Sequence, residues 1–481
     1  MKTLDVYSRD IVDNRARKTY SVRMNYSAND CSCEITPSNS QPVTQSERIG
    51  SIDTLRGFAL LGILLLNIIA FSGPLAAYYD PSVNNDISGL NLAVAMFVDI
   101  WAEGAFRAIF SMLFGAGFLI FFEKSNVDKR TLKLLYYRRT FILIGFGLIN
   151  AYVLLWVGDI LYAYGVTGLF LYFFKDLSAN KLALCSLALF VFIGLLHAAS
   201  YFTTESMFTA YQEVLAIPNG VELTDAQNQI LENWDSYLQA QLATPEQIAI
   251  ETTIRDKGYI ENFIFTAQIN IVFQTVIFLF SAFWDAAAMM LLGMAFMKWN
   301  IFDASRDLSF YIIATSLGFG VGLIVNSWEI ITYVTGGFEP SWAPTLRPTY
   351  DIGRLAMAVG YIGVVMICCK MKLFSKLLQA LACVGQMALT NYLSQTIICN
   401  IIFLGFGFGL WGKLQRFEIY IIVFGIWILQ LIYSVAWLKR YRFGPAEWLW
   451  RSLTYRKRQP LRKIANQVKF HDIRKFKNRK E

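Results

Sequence analysis

Histidine is nearly absent: the 481 residues contain two, His197 and His471. Two so far apart exclude a histidine-based metal site and leave no HExxH pattern. Neither a GxxxxGK[ST] phosphate loop nor a GxSxG elbow occurs, which removes the ordinary ATP-driven and serine-hydrolase readings. Seven cysteines form neither a disulfide framework nor a zinc pattern. Cys31 and Cys33 sit in a polar amino-terminal stretch, and Cys185, Cys368, Cys369, Cys383 and Cys399 fall in or beside apolar blocks. Charge is scarce too, at 16% of residues, against about 25% in soluble domains.

What replaces charge is apolar length. Hydrophobic residues make up 55% of the chain, gathered in blocks long enough to cross a hydrocarbon layer as helices. The blocks are Leu55–Phe71, Ala93–Phe122, Phe141–Val157, Ile160–Phe174, Leu182–Phe202, Phe263–Met297, Phe310–Val334, Ile352–Cys369, Leu377–Leu404 and Tyr420–Leu438. The expectation is an all-α, polytopic membrane helix bundle of about 10 transmembrane helices. Ala93–Phe122 is too long for a plain span, so its first half reads as a segment dipping into a cavity before a span from about Phe106. Phe263–Met297 reads as either one long tilted helix or a span with a re-entrant piece.

Lys and Arg in the connections set the orientation. The connection after the first block has none, whereas that after the second holds Lys124, Lys129, Arg130, Lys133, Arg138 and Arg139. The alternation continues along the chain and puts both termini in the cytoplasm of a cell inner membrane. From Lys439 onward there are 15 basic residues against three acidic ones. That reads as a cytoplasmic anchor near anionic lipid, with no nucleic-acid motif beside it. The organisation expected is a disordered cytoplasmic leader over 1–46 without a cleavable signal peptide, an amino-terminal transmembrane bundle over 47–202, and an extracytoplasmic acidic helical loop over 203–262. A carboxy-terminal bundle over 263–455 and a basic tail over 456–481 follow. The loop carries ten acids against two bases and two capping-box patterns, Thr224-Asp-Ala-Gln227 and Thr244-Pro-Glu-Gln247.

Polar groups inside apolar blocks are costly and usually face a cavity or a partner. Asp53 and Arg56 stand at the head of the first block, either as a helix start with a snorkelling arginine or as a pair at a cavity mouth, with Asn67 deeper in the same block. Asp99, Glu103 and Arg107 recur every four residues, which would stack them on one helix face as a self-neutralising stripe or an acid/base group. Asp159 reads as a helix cap or a polar group at a hairpin end. Asp285 calls for a buried partner. Gln386, Asn391 and Gln395, with Thr390 and Ser394, mark a polar stripe explained equally by interhelical hydrogen bonds.

These motifs resemble the YeiB-type family of uncharacterised bacterial inner-membrane proteins, which carry a domain of unknown function. The resemblance runs from about Arg48 to Tyr455 and rests on several runs. They are Asp53-Thr-Leu-Arg56-Gly-Phe-Ala-Leu-Leu-Gly-Ile, Arg107-Ala-Ile-Phe-Ser-Met-Leu-Phe-Gly-Ala-Gly, Gly158-Asp-Ile-Leu, Gly385-Gln-Met-Ala-Leu-Thr-Asn-Tyr-Leu-Ser-Gln and Arg442-Phe-Gly-Pro-Ala-Glu-Trp-Leu-Trp-Arg-Ser-Leu-Thr-Tyr. The Asp53-x-x-Arg56-Gly opening is more distantly similar to that of transmembrane acyltransferases. That similarity implies transfer of an acyl group from cytoplasmic acyl-CoA, a co-substrate rather than a tightly bound cofactor, to an extracytoplasmic envelope glycan or lipid. Arg56 and Asp53 would then meet the donor, with Asp99, Glu103 and Arg107 as catalytic candidates and Asn67, Asp159, Asp285, Gln386, Asn391 and Gln395 toward the substrate. Those enzymes use a histidine soon after the first span, and Phe71–Val98 contains none, so Asp99 or Glu103 would have to act as the base. The alternatives are a transporter or flippase without group transfer and a structural or regulatory membrane protein. Membrane lipids are the expected partners in each case.

Overall fold

The apolar blocks become helices because a backbone surrounded by hydrocarbon can bond only to itself. A computed structural model describes residues 9–13, 18–22, 50–84, 87–123, 128–218, 220–241, 244–338 and 347–463. Met24, Cys31, Cys33, Lys124, His471 and most of the expected leader and basic tail lie outside these. Two units are distinguished, residues 1–41 and 42–481. The first contains an antiparallel ribbon of β1 (Arg9–Asp13) and β2 (Lys18–Val22).

The second unit is helical. It begins with α1 (Gly50–Ser72), one short turn α2 (Ala76–Tyr79), α3 (Gly89–Ala102), α4 (Ala105–Glu123) and α5 (Lys129–Leu148). Then come α6 (Ile160–Leu171) and α7 (Ala179–Leu215), followed by α8 (Asp225–Gln241) and α9 (Pro245–Arg255). The remainder is α10 (Tyr259–Val272), α11 (Phe283–Lys298), α12 (Leu308–Thr335), α13 (Tyr350–Met371), α14 (Ser375–Gln386), α15 (Ala388–Phe403), α16 (Arg416–Arg440) and α17 (Pro445–Tyr455).

Among the described residues, seven helical stretches are long and apolar enough to cross a membrane: Gly50–Ser72, Gly89–Glu123, Ala179–Leu215, Tyr259–Lys298, Leu308–Thr335, Tyr350–Met371 and Arg416–Arg440. The other three expected spans have a different form. Phe141–Val157 is the second half of α5 plus a π-helical turn over Ile149–Val153. Ile160–Phe174 is a short apolar helix. Leu377–Leu404 is broken at Met387 into α14 and α15.

α1 is the hub. Its Leu55, Leu60, Leu64 and Ile68 are completely buried, and it packs against α4, α14, α15 and α16. The amino-terminal and carboxy-terminal transmembrane stretches therefore share one core. Small residues set these contacts. A side chain at Gly57 would collide with the Leu381 carbonyl of α14, and one at Gly385 with the Asp53 carbonyl of α1. The same reciprocity joins α4 to α11, with Gly115 against Met290 and Gly293 against Met112. Without a hydrophobic drive between helices in lipid, such close backbone approach is what holds them. The periphery is apolar instead: Leu195 on α7 is 65% exposed and Ile324 on α12 is 72%.

Three expectations about the chain's course change. The stack of Asp99, Glu103 and Arg107 does not lie on one continuous helix. α3 ends at Ala102, and a turn through Glu103 and Gly104, the latter at φ +66°, restarts the chain as α4. Glycine permits that left-handed backbone at little cost. Phe263–Met297 is part of one uninterrupted helical run whose middle, Phe273–Ala282, is π-helical. α7 continues past Phe202 to Leu215, so the outer loop is shorter than expected. Both capping boxes are present there. Thr244 accepts from Gln247 N at 3.2 Å while Gln247 accepts from Thr244 N at 2.9 Å, and Thr224 and Gln227 do the same.

Candidate functional site

The head of α1, the second half of α4, the middle of α5 and the helix α17 surround a cavity of about 270 Å³. One wall is aromatic and aliphatic, with Phe110, Leu113, Phe114 and Phe118 of α4. The charged lining comprises Asp53, Arg56, Arg139, Glu447 and Arg451. Arg56 Nη1 donates to Asp53 Oδ1 at 3.1 Å, one turn away on α1. Arg139 lies flat on the Trp450 ring, its guanidinium carbon 3.9 Å from the ring centre, with Phe121 at 5.7 Å. Stacking occupies the face of a guanidinium and leaves its N–H edge to an anion.

Glu447 is already engaged. Its Oε1 accepts from Leu389 N at 2.6 Å and Thr390 N at 3.1 Å, and its Oε2 from Thr390 Oγ1 at 2.5 Å. The carboxylate thus caps α15 from α17, satisfying backbone donors exposed by the break at Met387. Burial pushes the Glu447 carboxyl up from its ordinary range, and these hydrogen bonds work against that shift. Asp53 is paired to Arg56 and Glu447 is engaged at a helix end, while Arg139 and Arg451 add two further guanidiniums to the lining. An anionic head with an apolar chain matches this combination of arginines and aromatic wall.

A second, smaller cavity of about 40 Å³ is lined by Asp99, Glu103, Arg416, Tyr78 and Tyr333 among others, and shares no lining residue with the first. Its size suits a few waters, not a sugar. Arg416 Nη2 donates to Ala77 O at 3.0 Å and so ties α16 to α2.

Between the cavities lies a buried polar network. Tyr350 donates to Glu103 Oε1 at 2.8 Å and accepts from Arg107 Nη2 at 3.1 Å. Arg107 Nε is 3.9 Å from Asp285, which is also paired with Arg354. Arg354 Nε donates to Asp351 Oδ1 at 2.8 Å. Toward the first cavity, Ser111 donates to the Arg107 carbonyl at 3.0 Å and is hydrogen-bonded to Tyr164, which lines that cavity. Glu103 lines the second. In this low-dielectric setting Asp285 and Asp351 are held by guanidiniums and Glu103 by the Tyr350 hydroxyl, as burial of charge requires.

The residues singled out in the sequence divide accordingly. Asp53, Arg56 and Gln386 line the first cavity, and Asp99 and Glu103 the second. Arg107 and Asp285 lie in the network between. Asp159 caps α6, accepting from Tyr162 N at 2.8 Å and Asn150 Nδ2 at 2.9 Å. Asn391 donates to Val384 O and Ser434 Oγ, each at 3.1 Å, and Gln395 to Gln430 at 3.0 Å, so both join helices. Asn67 is half-buried and lines neither cavity. The sequence reading passed over Arg139, Arg451 and Glu447 as ligand-facing groups, and Tyr350, Asp351, Arg354 and His197 as members of the network. Asp351-Ile-Gly-Arg354, at the head of an apolar block, is the signal that could have found two of them. Among the described residues no three His, Cys, Asp or Glu side chains gather to hold a metal ion.

Residues 296–457 match a family described as "Protein of unknown function (DUF418)". Over 427 residues the chain is 29% identical to the "Uncharacterized protein YeiB" of Escherichia coli (strain K12), covering 86% of this chain and 98% of that one. It is 28% identical to the "Uncharacterized protein YxaH" of Bacillus subtilis (strain 168), over 89% of this chain and 99% of that one. No solved structure matches.

Proposed function

The chain belongs to a YeiB-type family of unknown function, so kinship assigns no chemistry, and we propose that it transfers an acyl group from a cytoplasmic phosphate-bearing acyl donor to an envelope glycan or lipid. The observation that carries this reading is the arginine-lined cavity with an aromatic wall. Arg139 and Arg451 hold the donor's phosphates, Arg56 assists from its pair with Asp53, and the apolar wall takes the acyl arm. The distant similarity of the Asp53-x-x-Arg56-Gly opening to transmembrane acyltransferases agrees with it.

In this reading the bundle crosses the inner membrane ten times, counting α5, α6 and the broken pair α14–α15 with the seven longer spans. The Arg56 end is cytoplasmic, as are both termini, because the Lys- and Arg-rich connections lie there. Glu103, whose carboxylate faces the second cavity, is the candidate base, and the acceptor approaches from that side. The second cavity is too small for a sugar as it stands, so acceptor binding requires the turn at Glu103–Gly104 to open.

The test is incubation of the purified full-length protein with radiolabelled acetyl-CoA and envelope extract. Binding of labelled donor, and transfer of label abolished by Arg56→Ala and Arg139→Ala, is the expected result. Donor that neither binds nor gives up its label sinks the reading. A second reading, translocation without group transfer, is favoured by the interrupted helices at Gly104 and Met387, since broken spans are the usual form of substrate sites in transporters. Movement of a fluorescent anionic lipid across proteoliposomes, without covalent change, would establish that one in its place.

A further inference from the structure

His197 stands in the middle of α7, a helix with a lipid-facing apolar surface, and it lines neither cavity. Its side chain is 25% exposed and its Nδ1 is buried, 3.8 Å from Oδ2 of Asp351. Neither of these two atoms has a hydrogen-bond partner among the described residues. Asp351 is itself 92% buried by the measure of its 8% exposure. Its other oxygen is fastened to Arg354, so the carboxylate is anchored on one side and directed at the imidazole on the other. The charged groups acting on His197 are Asp351 and Arg354 from α13 and Asp285 from α11. The Tyr350 ring lies 6.4 Å away.

A separation of 3.8 Å is too long for a hydrogen bond. It is also too short for two buried polar atoms to be indifferent to each other, since a small rotation of either side chain would satisfy both. A carboxylate at Nδ1 selects the tautomer that carries its hydrogen there and leaves Nε2 as the proton acceptor. Once Nε2 is protonated, the imidazolium faces an opposite charge that stabilises it.

We propose that His197 and Asp351 form a proton-binding pair within the membrane, and that Arg354 and Asp285 pass its state to Arg107. The exchange balances simply. Nε2 takes one proton from a hydronium ion: an N–H bond forms, the donor's O–H bond breaks and releases water, and the ring goes from neutral to singly positive. Asp351 then divides its charge between His197 and Arg354. Arg354 leans further on Asp285, and Asp285 loosens from Arg107, the residue between the two cavities. The proposal is independent of acyl transfer, because a proton-driven translocator would use the same pair.

The chain's two histidines make the test direct. Full-length protein carrying His471→Gln and ¹⁵N-labelled histidine is placed in nanodiscs of phosphatidylethanolamine and phosphatidylglycerol, leaving His197 as the sole histidine signal. The expected spectrum titrates over the pH range in which the protein stays folded, with the Nδ1–H tautomer dominant in the neutral form. Asp351→Asn should yield mixed tautomers, Asp351→Glu should restore the single one, and Asp285→Asn should move the His197 signals through Arg354. A ring that does not titrate, or that keeps the same tautomer in Asp351→Asn, overturns the pair. Signals unmoved by Asp285→Asn overturn the transmission to Arg107. If Asp351→Asn does not fold, Asp351→Glu decides in its place: a spectrum unchanged from that of a freely exposed histidine defeats the proposal.

Discussion

Glu447 on α17 caps the helix that begins at Ala388, and Thr390 is the residue it holds most fully, through both the backbone N–H and the hydroxyl. Two of the runs that carry the family resemblance, Gly385–Gln395 and Arg442–Tyr455, therefore meet at this contact. Replacing Glu447 with Ala strands one buried and one half-buried N–H donor and should cost about 1–3 kcal/mol. Thr390→Ala removes one donor and should cost about 1 kcal/mol. Thermal unfolding of the purified protein in detergent checks the order. Equal melting points for Glu447→Ala and wild type would show that the cap is dispensable.

Arg139 lies over the Trp450 ring and lines the first cavity. Arg139→Ala should weaken binding of acyl-CoA by about tenfold or more, a loss near 1.4 kcal/mol. Arg139→Lys should recover little, because an ammonium neither stacks as a plane nor forks to a phosphate. Equilibrium binding of labelled donor to each variant measures this, and full affinity in Arg139→Ala would remove the residue from the donor site.

Gly115 and Gly293 each meet the opposing backbone where α4 crosses α11. A methyl at either position has no space, so Gly293→Ala should destabilise by about 1–3 kcal/mol. Gly145, with nothing within reach of an added Cβ, is the control and should tolerate alanine. Size-exclusion profiles and melting temperatures of the two variants compare them directly.

Asp285 serves two guanidiniums, those of Arg354 and Arg107. Asp285→Asn leaves buried charge uncompensated and should cost about 3 kcal/mol, the low end for breaking a buried pair, because Asp351 still holds Arg354. Adding Arg107→Gln should restore part of the loss. A double variant no better than the sum of the singles would mean that Asp285 and Arg107 do not interact.

Asp159 caps α6. Asp159→Ala should lower stability by about 1 kcal/mol and Asp159→Asn by much less, since asparagine caps nearly as well. Donor binding should be unchanged in both, and a binding loss in Asp159→Asn would put the residue back among the functional ones.

Length and hydropathy made the bundle legible in the sequence, because a spanning helix needs an apolar run and little else. Asp53 and Arg56 were legible for the same reason, as charges where charge is expensive. The break after Ala102 was legible as excess length but not as a turn, and the four-residue spacing of Asp99, Glu103 and Arg107 suggested a regular face that Gly104 interrupts. His197 was passed over because a single histidine in an apolar helix has no local signal. Its partner is 154 positions further on, and only the approach of the two side chains in the folded chain shows it. Arg139 read as one of six basic residues in a connection, and nothing in that run distinguishes it from neighbours that face headgroups. Glu447 carries no sign of its role in the sequence, since an N-cap supplied by another helix leaves no mark at short range.

The π-helical middle of the run from α10 to α11 bonds each N–H five residues back, as Phe283 N does to Phe278 O. Such a stretch holds slack that an ordinary helix lacks. Tightening it toward the common winding would turn α11 about its own axis without breaking the chain's course. Asp285 sits three residues beyond its end. A small rewinding there would swing that carboxylate between Arg354 and Arg107, making the helix itself the moving part that decides which arginine it serves.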